Sequence, residues 1–526
     1  MSTFQCDFLV IGSGIGGLSY ALKVADYGKV ILVTKAGIDD TNTSMAQGGI
    51  AAVTYPPDTF EKHVNDTLIC GDGYCNEEVV RMVDSEAPAQ INQLIQWGVK
   101  FDRKPNGQYD LAREGGHSEH RILHHKDITG AEIQRALSAG VRQHPNIQVF
   151  ENHFAVELIT QHHLGRVIHR GDPDITCFGA YVLDQKTQAV HTFLGRSVVV
   201  ATGGSGNIYH TTTNPRTATG DGIAMVYRAK GAVENMAFVQ FHPTSLYHPG
   251  ERPSFLISEA MRGYGAVLKT SDGKEFMQKY DPRGSLAPRD ITARAIDSEM
   301  KQRGDDFVYL DVTFKDPDDT INHFPNIYQK CLSVGIDVTK DMIPVVPAAH
   351  YLCGGIKVDM NGQTAIKRLY AIGECSSTGL HGANRLASNS LMEAIVYAER
   401  AARHSLATFK SINNSTRIPD WDYEGTTHNE EMVLITQSYK EMQQIMTNYV
   451  GIVRSNLRLS RALNRLDIIF EETEELYKKS ILTRELCELR NLIQIGYLII
   501  KDAQNMHESR GLHYSIDYPR QMGTEF

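Results

Sequence analysis

The chain opens on an apolar run, Phe8 to Ile11, that ends in Gly12, Ser13, Gly14, Ile15, Gly16 and Gly17. A short apolar run closed by glycines predicts a buried strand entering a tight turn. From Leu18 the apolar positions take helical spacing (Leu18, Leu22, Ala25), Gly28 stops that pattern, and Val30 to Val33 supplies a second run. Strand, helix and strand in this order predict a βαβ unit on a parallel sheet. Two later runs repeat the strand-to-glycine transition. Val198 to Ala201 leads into Thr202, Gly203, Gly204, Ser205 and Gly206, and Leu369 to Ile372 leads into Gly373 and Glu374. Three such strand ends can converge on one extended ligand if the first domain is interrupted and later resumed. The stretch from about Met236 to Val346 is the natural insertion.

After a polar connection around Ser411 to Thr427 the pattern changes again. Leu459, Leu463, Leu466 and Phe470 fall on one helical stripe, and Leu489, Ile493, Gly496 and Ile500 on another, with charges between them. These stripes predict a C-terminal helical bundle whose Met and Leu positions form its core.

Composition narrows the function classes. A chain of 526 residues holds about three domains of roughly 150 residues each. A formal net charge of -9 gives no global basic field, so nucleic acid is not an expected partner. The eight cysteines form no C-x-x-C pair and read as reduced thiols. No apolar stretch approaches the roughly 18 residues of a spanning helix, and no signal peptide precedes the first strand. The expectation is a soluble, cytoplasmic protein away from membranes.

Gly12, Gly14 and Gly17 fit the G-x-G-x-x-G pattern. The first glycine permits the turn, the second lets a pyrophosphate approach the backbone, and the third lets the helix pack on the strand. The generic pattern closes its second strand with an acid for the ribose, whereas this strand ends Val33, Thr34, Lys35. That departure, with the two later glycine turns, favours an extended FAD over NAD and places Lys35 near the cofactor as a positive or backbone contact.

Several further stretches carry a resemblance: Ala46-Gln47-Gly48-Gly49, Arg113-Glu114-Gly115-Gly116-His117-Ser118, Phe241-His242-Pro243-Thr244, Ala287-Pro288-Arg289-Asp290, Pro347-Ala348-Ala349-His350-Tyr351, His381-Gly382-Ala383-Asn384-Arg385 and the closing Ser509-Arg510-Gly511-Leu512-His513. In this order and over nearly the whole length, the chain resembles the L-aspartate oxidase family of the succinate dehydrogenase and fumarate reductase flavoprotein superfamily. The resemblance implies an α/β fold. A Rossmann-type FAD-binding domain (1–235 and 347–415) is split by an α+β capping domain (236–346) and followed by a C-terminal helical domain (420–526). It also implies FAD contacts at Ser13, Gly14, Ile15, Gly16, Lys35, Asn42, Thr43, Ser44, Met45, Ala46, Gln47, Gly48, Gly49, Asp221, Glu374, Ser390 and Leu391. A carboxylate just past a strand end, as at Glu374, can accept hydrogen bonds from sugar or ribityl hydroxyls. Membrane-bound relatives attach flavin covalently to a histidine where this chain has Asn42, which lacks a ring nitrogen, so the expected FAD is non-covalent.

The same resemblance implies a substrate clamp of Arg385, His242 and His350, with Ser258 where the family has threonine. Arginine suits the task because its fixed fork binds a carboxylate bidentately. Arg289 matches the family's proton-transfer arginine; a pKa above about 12 by itself favours a permanent carboxylate binder, but the resemblance implies a catalytic role in proton transfer during fumarate reduction. Glu114 is the residue expected to decide the substrate, because an anionic Glu114 can pair with the α-ammonium of L-aspartate, and relatives acting on succinate or fumarate look apolar there. The implied reaction is oxidation of L-aspartate to iminoaspartate with O2 or fumarate as acceptor, at the start of de novo NAD biosynthesis, with quinolinate synthase as a partner for handover. A soluble fumarate reductase or succinate dehydrogenase flavoprotein is the alternative, and a catalytically silent FAD-binding module is a more remote one. The cluster His117, His120, His124 and His125 is read as packing or substrate residues with no metal.

Overall fold

The computed structural model describes residues 2–519 apart from 127, 413–415 and 429–430. Its centre is a seven-stranded sheet. The strand Thr3–Ile11 runs parallel to Val30–Val33 on one side and to Val190–Val200 on the other. Ile147–Phe150 extends the first side. The long strand Val190–Val200 divides its second edge. Its first half takes Gly179–Asp184 antiparallel, with His153–Ile159 beyond, and its last residues take Leu369–Ala371 parallel. Ile11, Val33 and Ala371 therefore end level with Val200 or with one another at one edge of the sheet. The three glycine turns follow from these ends, so residues far apart in sequence share one crevice at the carboxyl ends of the strands. The carboxyl-terminal parts of the central strands, Phe8–Ile11 and Val198–Val200, are unbroken apolar runs because both faces are covered.

Helix Ile15–Val24 starts directly after the first turn and buries Leu18 and Ala21 against the sheet, while the 20-residue helix Asn389–Thr408 packs beside it. A second unit has its own four-stranded antiparallel sheet, ordered Val239–Leu246, Ile343–Leu352, Val308–Asp311 and Val267–Lys269. Its core includes Leu246, Met261, Leu268, Ile296, Leu310 and Val345. The entering strand Val239–Leu246 and the leaving strand Ile343–Leu352 pair with each other, so the chain enters and leaves this unit side by side. Irregular register at Gln240/Phe241 and between His242 and Ser245 re-aims side chains at that junction.

Helices Met432–Tyr449, Asn456–Lys479 and Arg484–Asn505 close the chain. The expected polar connection at 411–427 lies partly outside the described residues. In the middle helix the buried stripe is Leu459, Ala462, Leu466, Ile469 and Thr473, and Phe470 is 43% exposed. Apolar identity placed the stripe one residue off, because small and β-branched residues at 462, 469 and 473 fit the close packing better than a bulky ring. Gly496 permits that packing, since a Cβ there would lie 3.0 Å from Leu466 and 3.3 Å from Met446 Sδ. These helices share one core with the large sheet, where Leu466, Leu489 and Ile493 join Ile11, Val198 and Ile223.

Candidate functional site

One cavity of about 1560 Å³ is lined by every residue named above as a cofactor or substrate contact. It starts at the sheet's carboxyl edge and runs to the junction with the second unit. At the sheet end, Gly12 has φ +113, and a Cβ there would lie 2.1 Å from the Ala201 carbonyl oxygen, so no other residue makes this turn. Helix Ile15–Val24 follows, and its N-cap residue Gly14 has no side chain to cap it. The Ile15 N–H is taken by Thr43 Oγ1 at 3.0 Å, which ties the helix start to the capped turn Asn42–Met45. Uncapped first-turn amides form an anion site.

Lys35 is held more tightly than its sequence position suggests. Its ammonium donates to Thr219 Oγ1 at 2.5 Å, Asp221 Oδ2 at 2.7 Å and Glu488 Oε1 at 2.7 Å. Asp221 also accepts from Asn491 at 2.9 Å, so the last long helix braces this end of the cavity. Glu374, in the middle, is half-buried and accepts from the Leu352 N–H and the Asn42 side-chain amide, each at 3.1 Å. Burial raises its carboxyl to about 7, against the lowering effect of the Leu352 N–H, Arg385 and Asn42.

These features fit FAD. A Gly14 backbone where an added Cβ would meet a hydroxyl, an open Gly203 at φ +71, a half-buried carboxyl and an elongated cavity suit a dinucleotide with a polyol chain. Ser13 to Gly16, Lys35, Asn42 to Gly49, Asp221, Glu374, Ser390 and Leu391 are the residues that would hold it.

At the junction, Arg385 Nη2 and Nε donate to Gln240 Oε1 at 2.8 and 3.2 Å, and Nη1 donates to Ser390 Oγ at 2.9 Å. The guanidinium lies 4.7 Å from the Tyr351 ring centroid. His242 and His350 come from the two paired junction strands, with ring centroids 5.7 Å apart. Burial, followed by the nearby arginines, lowers both rings well below the usual histidine range, so both are neutral. His350 Nδ1 is hydrogen-bonded to Thr213 Oγ1 at 2.8 Å, which orients the ring. The Ser258 hydroxyl accepts from the Ala260 N–H at 3.2 Å at the start of a short helix.

Arg289 is the first residue of helix Arg289–Arg303 and donates from Nε to Glu259 Oε2 at 2.5 Å. Glu259 Oε1 lies 3.7 Å from Arg262, so the three form a chain of charge along the cavity wall. Burial opposes the charge on Arg289, but Glu259 and Glu114 outweigh it and raise the guanidinium pKa. Glu114 Oε2 accepts from Ser388 Oγ at 2.6 Å.

The histidine stretch disperses. His117 is buried against Ala387 and Arg121, His124 and His125 turn to Asp102, and His120 is exposed. Among the described residues no group of three or more His, Cys, Asp or Glu could hold a metal. Sequence reasoning passed over Glu259, Gln240, Thr213 and Ser388. Each lies within two residues of a named residue or touches one across the fold, but their partners are 30 to 274 residues away and no spacing rule reaches them.

The chain matches the FAD binding domain family over residues 7–391 and the fumarate reductase flavoprotein C-terminal family over residues 439–526. It is 48% identical to the L-aspartate oxidase of Vibrio cholerae, over 98% of this chain and 96% of that protein. It is 47% identical to the L-aspartate oxidase of Pseudomonas aeruginosa, with the same coverage. A chloroplastic L-aspartate oxidase of Nicotiana tabacum is 45% identical over 98% of this chain and 82% of its own. Among solved structures, an E. coli quinol fumarate reductase superposes with a TM-score of 0.85 at 29% identity, covering 100% of this chain and 94% of the other. A quinol-fumarate reductase with menaquinol molecules gives 0.87 at 29% identity, covering 99% and 95%.

Proposed function

Because this chain belongs to the L-aspartate oxidase family of the succinate dehydrogenase and fumarate reductase flavoproteins, we propose that it oxidises L-aspartate to iminoaspartate. FAD, when bound, supplies the acceptor for the hydride leaving Cα and passes the electrons on to O2 or to fumarate. The single observation carrying the substrate assignment is a second carboxylate, Glu114, which lines the same cavity as Arg289, Arg385, His242 and His350 beside the Glu259 that pairs with Arg289.

Arg385 and His350 grip one substrate carboxylate, and His242, Ser258 and Arg289 grip the other. Gln240 and Tyr351 keep the Arg385 fork from rotating, so the clamp is set before the substrate arrives. Neutral histidines donate hydrogen bonds without adding a proton that the substrate would have to displace. Glu114 then receives the α-ammonium and takes one of its protons as the hydride leaves Cα, which the C=N bond of the product requires. Two unit charges about 4 Å apart interact by about 4 kcal/mol at an effective dielectric of 20, attractive for an ammonium and repulsive for a further carboxylate. That sign separates an amino dicarboxylate from succinate.

Arg289 is held protonated by Glu259 and Glu114, so it cannot serve as the base in aspartate oxidation. It binds and orients the substrate carboxylate there. Its proton is useful only when fumarate is reduced, where the acceptor carbon becomes strongly basic, and Glu259 is the hydrogen-bonded neighbour that can return it.

Iminoaspartate hydrolyses in water, which suits a consumer such as quinolinate synthase and places the reaction at the start of de novo NAD biosynthesis. A cytoplasmic site of action is part of the same reading, supported by eight free cysteines. Among the described residues no helix is long and apolar enough to cross a membrane.

The test is E114Q. Anaerobic flavin bleaching by L-aspartate, and not by succinate, is expected of the wild type. In E114Q aspartate bleaching falls at least about 100-fold, which is roughly 2.7 kcal/mol, while fumarate reduction largely survives. Equal loss of both reactions would sink the assignment.

A further inference from the structure

We propose that Ser388 sets the substrate preference of this site by fixing the Glu114 carboxylate, a role that rests on Glu114 receiving the substrate ammonium. Glu114 sits on a loop, and its side chain has three rotatable bonds. The hydrogen bond that restrains it comes from Ser388 Oγ to Oε2 at 2.6 Å, across 274 residues of sequence. On the other side of the carboxylate lies bare backbone, since a Cβ on Gly48 would come within 2.5 Å of Oε1. Oε2 is therefore held by Ser388 while Oε1 lies against the Gly48 backbone, so the carboxylate is fixed from both sides.

The backbone of Ser388 is bent to this purpose. It has φ +61 and ψ 3, the left-handed region that residues with a Cβ avoid. It stands at the N-cap of helix Asn389–Thr408, yet its hydroxyl makes no capping bond to that helix. A strained residue whose side chain does not serve the adjoining helix is held there by something else.

The surrounding contacts supply the hold. The Ser388 carbonyl accepts the Ala51 N–H at 3.1 Å. One residue earlier, the Ala387 carbonyl is 2.8 Å from His117 Nε2. Arg121 Nη1 lies 3.1 Å from His117 Nδ1. A guanidinium only donates, so Nδ1 is the acceptor and the single ring proton is on Nε2, where it donates to Ala387. Arg121 is itself fixed between Asp58 and Asp66. His117 belongs to the same loop as Glu114, so the loop and the Ser388 segment are locked together at two points. Ser388 acts through Glu114 and is a positioning residue.

S388A, S388G, E114Q and the double variant E114Q/S388A provide the test. Loss of the hydroxyl lowers kcat/KM for L-aspartate about tenfold, mostly through KM. The Kd for succinate, read from the flavin absorbance shift, does not rise, because succinate has no ammonium for Glu114 to hold. S388G accepts φ +61 without strain and folds at least as well as the wild type, so a loss in that variant is not a folding defect. In the E114Q background S388A has no further effect on aspartate. Full aspartate kcat/KM in both S388A and S388G, beside a loss in E114Q, overturns the role of Ser388 and leaves that of Glu114 standing. Equal S388A losses in the wild-type and E114Q backgrounds, or a matching loss of succinate affinity, also overturn it. Retained aspartate activity in E114Q removes the Glu114 reading and this inference with it.

Discussion

Replacing Gly14 and Gly17 by alanine, one at a time, separates the glycine that serves the cofactor from the glycine that serves the fold. Gly14 has φ -70 and ψ 178, open to any residue, and an added Cβ meets only Thr43 Oγ1 at 3.3 Å. Gly17 lies inside helix Ile15–Val24, where a Cβ would come within 2.1 Å of the Gly12 carbonyl oxygen and 3.3 Å of the Ala201 Cβ. A backbone oxygen cannot give way unless the helix lifts off the sheet. Overpacking of that kind costs about 3 kcal/mol, and the gain of about 1 kcal/mol from alanine's helix propensity leaves a net loss of about 2 kcal/mol. Gly14→Ala removes unfolded-state entropy and asks only that Thr43 Oγ1 give by a few tenths of an ångström, so flavin-free stability stays within about 0.5 kcal/mol of the wild type. Its methyl group nevertheless covers the backbone that a pyrophosphate must approach, and FAD affinity is expected to fall about 100-fold. Urea unfolding of the flavin-free proteins and FAD titration by fluorescence quenching read the two effects apart. Gly14→Ala should lose the stabilisation that added FAD confers while its flavin-free curve is unmoved. If Gly14→Ala unfolds as early as Gly17→Ala, or binds FAD like the wild type, the division of labour between the glycines is wrong.

Two further outcomes follow from Glu374 and Asn42. A carboxyl raised to about 7 by burial favours the protonated folded state, so its contribution is full below its ordinary value of 4.5 and is lost as pH rises through about 7. Flavin-free wild type should therefore lose about 3 kcal/mol relative to E374Q between pH ~5 and pH ~8, and parallel stability profiles from paired urea titrations would contradict this. Asn42 donates its side-chain amide to Glu374 and has no ring nitrogen to bond flavin, so acid precipitation should leave all the FAD in the supernatant. Yellow colour in the washed pellet would show a covalent link.

The fold was legible where a local pattern carried it. Strand runs ending in glycine at Ile11, Ala201 and Ile372 announced the sheet edge, because a parallel strand buried on both faces has to be continuously apolar and a turn against a neighbouring carbonyl has to lack a Cβ. The stripe of helix Asn456–Lys479 was less legible, since its buried face includes Ala462 and Thr473, which periodicity of large apolar residues does not register. In the site, residue types revealed Arg289, Arg385 and Glu114, but their supports were hidden. Gln240, Thr213 and Ser388 are ordinary polar residues whose significance comes from a contact made across more than 130 residues. Lys35 shows the opposite case: it was noticed for what it lacks, and the structure occupies its charge with Asp221 and Glu488.

The charge balance at the substrate end links these supports to specificity. Arg262, Arg289 and Arg385 act on one another and on Glu114 and Glu259, leaving one excess positive charge in the free site. The two histidines add none, because burial keeps them neutral. L-Aspartate carries two carboxylates and one ammonium, so its binding brings the cluster to neutrality. Succinate brings a further negative charge into a buried site that already holds two carboxylates. Glu114 is the member of the set whose removal reverses that comparison, which is why the contact that fixes its carboxylate governs selectivity more than affinity.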